Sequence, residues 1–121
     1  PAIIFDDFTT DSKFVDFPFK VKSSAMKILY PVSQDYDSLY IFLAMTEIDV
    51  LLGGHKRYWL SEYQFYEIPV PNYETQKKLS NIYKLQLEEI KALKELLQNY
   101  KSQKQGLMQK LLTGKWRVKV K

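Results

Sequence analysis

Cysteine is absent from this 121-residue chain, and histidine occurs once. The first absence excludes a disulfide framework, a zinc–thiolate centre and a cysteine nucleophile. The second argues against metal sites and catalytic triads that need more imidazole than one residue supplies. Glycine is scarce, with four residues, and Gly53-Gly54 lacks the spacing and strand–helix setting of a phosphate-binding loop. Motifs for an adenosyl methyl-donor and for helicase-type nucleotide binding are missing as well. No run is long and apolar enough to cross a bilayer. The apolar stretch 2–5 meets Asp6 and Asp7 at once, which is not the pattern of a secretory leader. Together these absences point away from an independent enzyme. They lead us to expect a cytoplasmic protein that acts by binding, with no cofactor and no metal.

What is present is enough for a core. Hydrophobic residues make up 45% of the chain and aromatic residues 15%, which suits one small domain with an extension. The net charge of +4 hides an asymmetry. Residues 1–72 hold six Lys and Arg against ten Asp and Glu, whereas residues 73–121 hold twelve against four. A basic half favours an anionic partner, although solubility accounts for part of it.

The front of the chain reads as short strands over 2–5, 14–21 and 27–30, with Pro18 marking an edge or a strand end. Apolar residues at steps of three and four predict a helix over 35–52, with Ser33 or Asp35 as its cap and Gly53-Gly54 as its stop. Residues 55–63 read as a loop with a short extended piece, and 67–70 as a last strand ended by Pro71. From Tyr73 to Leu112 the only helix breaker is Gly106. Asn72 is placed to cap a long helix there, with Glu74 in the first turn. Its apolar positions include Leu79, Tyr83, Ile90, Leu93, Leu97, Tyr100, Leu107 and Leu111. From Ile90 onward they form a heptad seam with one polar member, Lys104. A narrow seam on a helix of this length expects another helix beside it. The tail 115–121 alternates basic and apolar residues, as an edge strand or a frayed basic end.

Two segments carry chemistry suited to nucleic acid. In the first, His55, Lys56 and Arg57 supply donors for phosphate oxygens or base edges, and Tyr58 and Trp59 add rings. The competing reading makes Tyr58 and Trp59 core anchors and the basic residues a solvated loop. Trp59 fits the core better, whereas Lys56 and Arg57 stand out in an otherwise acidic half. In the second segment, Lys20 and Lys22 beside Ser23 and Ser24 fit DNA contact and a strand's polar face equally well. Asp6, Asp7 and Asp11 read as a solvated loop more readily than as a divalent-cation site.

The run from Ile68 through Pro69, Pro71, Glu74, Gln76 and Lys77 resembles the join between recognition domain and conserved helix in Type I restriction specificity subunits. Gly106, Leu107, Met108, Gln109, Leu111, Leu112, Thr113 and Gly114 resemble the end of the same helix. Residues 55–63 look like the closing part of a recognition domain. The resemblance implies a non-catalytic protein in which recognition domains read double-stranded DNA. Conserved helices pair antiparallel there and dock methyltransferase subunits, with motor-nuclease subunits joining for cleavage. This chain has one such helix and fewer residues before it than a complete recognition domain.

The expected fold is therefore α+β, with a small mixed sheet followed by one long coiled-coil-type helix. Residues 1–71 would be a partial recognition domain, 72–114 the helix and 115–121 a basic tail. DNA contact falls to His55, Lys56, Arg57, Tyr58, Lys20 and Lys22. Helix pairing, in a homodimer or with another specificity chain, falls to Leu79, Tyr83, Ile90, Leu93, Leu97, Tyr100, Leu107 and Leu111. The competing expectation is a protein-interaction or dimerisation module, or a remnant, without sequence-specific DNA binding.

Overall fold

The computed structural model describes residues 1–49 and 57–120. Two compact units are present, Pro1–Asn81 and Ile82–Lys121.

The first unit is built on a three-stranded sheet in the order β2-β1-β3, formed by β1 (Ala2–Asp6), β2 (Ser12–Val15) and β3 (Met26–Leu29). Ile3, Ile4 and Phe5 give β1 the branched and aromatic residues that suit a pleated surface buried on both sides. It takes the centre and pairs antiparallel with both neighbours, Ile3 facing Phe14 on one side and Leu29 on the other. The α+β class therefore stands, but the sheet is antiparallel in both pairings rather than mixed. The reason is topological: a five-residue turn folds β2 back on β1, and residues 16–25 cross to the far edge so that β3 runs in the same direction as β2. The turn closes because the Asp6 carboxylate accepts the amides of Phe8 (2.8 Å) and Thr9 (3.1 Å). Those bonds hold Asp6 below the ordinary carboxylate range.

Alternation along β1 gives the sheet two faces. Ile3 and Phe5 point into the main core with Met45 and Tyr63, joined by Phe14, Leu29, Phe42 and Trp59. Phe5 lies 4.5 Å from Tyr63 and 5.3 Å from Trp59, ring centre to ring centre. On the other face, Ala2 and Val15 are buried and line a cavity together with Phe17, Pro18, Phe19 and Val21.

Helix α1 (Ser38–Thr46) starts later than predicted, because Asp37 and not Ser33 or Asp35 caps it. The Asp37 carboxylate accepts the Tyr40 amide at 2.9 Å, while the Ser33 hydroxyl accepts the amide of Asp35 in a local turn. The helix also stops short: Ile48 turns in against the core instead of extending it. The predicted continuation over 50–52 and the Gly53-Gly54 stop lie outside the described residues.

Where a loop was expected, residues 58–65 form a short helix α2 (Tyr58–Ser61) and a 3-10 turn (Tyr63–Phe65). Strand 14–21 ends at Val15, and Pro18 lies outside it. Residues 67–70 make no ladder, since Pro69 and Pro71 lack amide hydrogens and the carbonyls of both are bonded elsewhere. The long helix α3 (Tyr73–Leu112) has the predicted bounds. Asn72 caps it, its side chain accepting the Thr75 amide at 3.0 Å.

In the second unit α3 ends at a left-handed glycine, Gly114, with φ of 74°. The Gly114 amide donates to Leu111 and the Trp116 amide to Lys110, which satisfies carbonyls the helix leaves open. The Lys110 ammonium sits 4.4 Å from the centre of the Trp116 ring. Residues 115–120 are exposed and join no strand, so the tail is not an edge strand.

Candidate functional site

Three groups of residues bear on function. The first surrounds the start of α2. The Tyr58 amide donates to the Asp7 carbonyl at 2.9 Å and the Trp59 amide to the Asp7 carboxylate at 2.8 Å. A residue 52 positions away thus caps this helix, satisfying amides that a helix start leaves open. Asp7 is fully buried, and its second carboxylate oxygen lies 3.7 Å from the Lys27 ammonium. The anchoring leaves Arg57 exposed immediately before α2. It turns Tyr58 inward, where 1% of the residue is accessible. Tyr58 is therefore an interior residue, correcting its assignment to a DNA-contacting surface. Trp59 is half-buried against the core. His55 and Lys56 lie outside the described residues.

The second group, Lys20 and Lys22, is exposed and alternates with half-buried Phe19 and Val21. Phe17 to Val21 lie with Pro1 and Ala2 at the start of β1. Arg57, by contrast, precedes a helix bonded to Asp7 just past the end of β1. The two basic groups are thus carried by segments attached at different places on the central strand. The acidic cluster divides its labour in the same region: Asp6 closes a turn and Asp7 caps α2. Among the described residues no three His, Cys, Asp or Glu side chains gather in a manner that could hold a metal ion.

The third group is α3. Its first turns are held by a network the sequence gave little sign of. Gln76 is buried, accepts the Asp37 amide at 2.9 Å and donates to the carbonyls of Asp35 (3.1 Å) and Pro71 (2.8 Å). Ser80 donates its hydroxyl to Asp37, and Lys77 reaches the other oxygen of that carboxylate at 3.2 Å. The Tyr40 hydroxyl donates to the Pro69 carbonyl at 2.7 Å. Burial alone would raise the pKa of Asp37; the bonds from Ser80, the Tyr40 amide and Lys77, with the Lys77 charge, outweigh it and lower the pKa. Lys77 is raised in return, first through its hydrogen bond to Asp37.

Further along, the predicted seam is laid open. Ile90, Leu93, Leu97, Tyr100 and Leu107 are 45–60% exposed, and Tyr83 and Leu111 are half-buried. Leu79, in the first unit, is 44% exposed. Ile82, Leu87, Leu96 and Met108 widen the stripe. Monomeric chains rarely leave so much apolar surface exposed in one strip. No helix among the described residues is long and apolar enough to cross a membrane.

The sequence decides what this arrangement is similar to. Part of the chain is homologous to a Type I restriction specificity subunit. It is 46% identical over 74 residues, 59% of this chain, to the specificity subunit of the Type I restriction enzyme EcoR124I/EcoR124II from Escherichia coli. The chain spans 18% of the length of that relative. No family model and no solved structure matches the chain. The residues that carried the resemblance now have physical tasks. Pro69 and Pro71 present carbonyls, and Gln76 and Lys77 tie the start of α3 to the cap of α1.

Proposed function

We propose that this chain contributes DNA sequence specificity to a Type I restriction-modification enzyme, as a non-catalytic component in the cytoplasm. The observation that carries the reading is the 46% identity over 74 residues to a specificity subunit. Under it, residues 1–71 act as part of a target-recognition domain, 72–114 as a conserved-region helix and 115–121 as a basic tail. Arg57, with His55 and Lys56, and separately Lys20 and Lys22, contact duplex DNA. The seam of α3 takes a second helix, from another copy or from another specificity chain. The helix also docks methyltransferase subunits, and motor-nuclease subunits join for cleavage.

Titration of the chain with duplex DNA at several salt concentrations tests this. Each phosphate contact steepens the fall of log K with log salt by about 0.9. Replacing Lys56 and Arg57 together by alanine is therefore expected to flatten that slope by roughly two. Affinity that ignores salt, or is absent at low salt, removes the DNA reading. The exposed seam favours a second reading in that case, a helix-pairing module that reads no DNA.

A further inference from the structure

We propose that Asp7 is the positioning residue of the DNA-contacting segment: it fixes Arg57 at the surface beside the end of β1 and withholds Lys27 from DNA by pairing with it. This deepens the DNA reading of Arg57 and rests on it.

Asp7 is held through its main chain and its side chain alike. Its amide donates to the Ala25 carbonyl at 3.0 Å, which carries the β1–β3 pairing one step beyond the strands. Its carbonyl accepts the Tyr58 amide at 2.9 Å, and one carboxylate oxygen accepts the Trp59 amide at 2.8 Å. The peptide that follows Arg57 is therefore pinned to the central strand. The Arg57 carbonyl is fixed from the other direction, by the Ser61 amide at 3.2 Å and the Ser61 hydroxyl at 3.0 Å. Arg57 thus combines a tethered main chain with an exposed side chain. Among the described residues no carboxylate pairs with that side chain.

The charge on Asp7 is more than the cap of α2 requires. An amide side chain of the same shape would accept the Trp59 amide through its own carbonyl oxygen. A fully buried charge is costly unless it is paired, and the second Asp7 oxygen has no hydrogen bond. What answers the charge is Lys27, whose ammonium lies 3.7 Å from that oxygen. The strand register sets Lys27 opposite Phe5, on the core side of the sheet. The Lys27 side chain is 29% exposed, so it borders on solvent. One buried residue therefore governs two cations at the same end of β1, one through main-chain hydrogen bonds and the other through charge. Without the Asp7 charge, the flexible four-carbon stem of Lys27 is free to turn toward a phosphate at Arg57. With the charge in place Arg57 makes the contact. A guanidinium holds a phosphate by two directed bonds, where an ammonium acts as a point charge. The pairing favours the cation that fixes orientation over the one that adds affinity for any duplex.

Salt titration of the whole chain with duplex DNA tests this, with the slope of log K against log salt as the readout. Arg57→Ala is expected to flatten the wild-type slope by about 0.9, the loss of one phosphate contact. Lys27→Gln, which keeps a donor for Asp7, is expected to leave the slope unchanged. Asp7→Asn keeps the acceptor for Trp59 and releases Lys27, so its slope is expected to steepen by about 0.9. The double variant Asp7→Asn/Lys27→Gln is expected to return to the wild-type slope. An Asp7 that only supports the fold gives no steepening, because a loosened α2 loses contacts and gains none. A folded Asp7→Asn with a slope equal to or below wild type overturns the proposal. So does a flattened slope in Lys27→Gln, which decides the matter alone if Asp7→Asn does not fold. Either result, beside an Arg57→Ala that flattens as expected, leaves the DNA reading standing. A wild-type chain without salt-dependent affinity, or an Arg57→Ala that matches it, removes the Arg57 contact and this proposal with it.

Discussion

At the scale of single residues, the polar ones inside the front unit do more than their number suggests. Gln76 serves an amide and two carbonyls from two separate stretches of chain. Gln76→Leu preserves its bulk but strands those three groups, with an expected loss of roughly 2–4 kcal/mol. Urea unfolding followed through Trp59 fluorescence measures it. Asp37 brings pH dependence. Its carboxylate binds a proton less readily in the folded chain than at its ordinary value of 3.8. The stabilisation is therefore complete above that value and drains away as pH falls through the lowered one. Asp37→Asn is expected to flatten this acid limb of a stability–pH profile and leave the neutral-to-alkaline limb unchanged. Such roles were poorly legible in the sequence. Ser33, Asp35 and Asp37 are all good helix caps by residue type, and only the contacts with Ser80 and Lys77 single out Asp37. Tyr58 sat in a basic, aromatic run that suits a DNA-facing loop, and nothing local revealed that Asp7 would cap its helix and turn the ring inward.

Among elements, legibility followed how far each is determined by its own residues. Helix α3 was readable end to end, because cap, period and stop signal all lie within it. Strands β1 and β3 were readable from short apolar runs. Helix α2 was not, since four residues form a helix there only with amide acceptors from the far side of the chain. The segment 67–70 looked like a strand by composition, but Pro69 within it and Pro71 just after it give it no ladder. The C-terminal stop of α3 offers an element-level test. Nothing lies within 4 Å of a Cβ placed on Gly114, so Gly114→Ala meets no clash. Its cost comes from φ of 74°, and is expected at about 1 kcal/mol. It should appear as faster amide exchange in the last turn around Leu111 and Thr113, with no change in the front unit.

For the whole molecule, the class was legible and the use of the basic half less so. The division of charge between the halves pointed to an anionic partner, yet most of the lysines after residue 72 are the solvated side of a helix. What distinguishes that helix is its open apolar line. Covering it should raise stability with protein concentration: the melting temperature of α3, followed by circular dichroism, is expected to climb as the chain is concentrated. A melting temperature that does not move would indicate that the line is not covered by another copy.

The front unit also has a sequence of assembly written into it. Its central strand is β1, yet the groups that close it come much later: Trp59 and Tyr63 over Phe5, then Gln76 and Ser80 onto Asp35 and Asp37. A growing chain can pair β1 with β2 and β3 as soon as Leu29 has emerged, but it cannot cover Phe5 until Trp59 and Tyr63 are out. At roughly 5–20 residues per second, the half-made sheet waits several seconds with Phe5 and Ile3 uncovered. The opening turns of α3 are thus a later latch, closed on the cap of α1, and a ribosome stalled before Trp59 would hold a sheet without its lid.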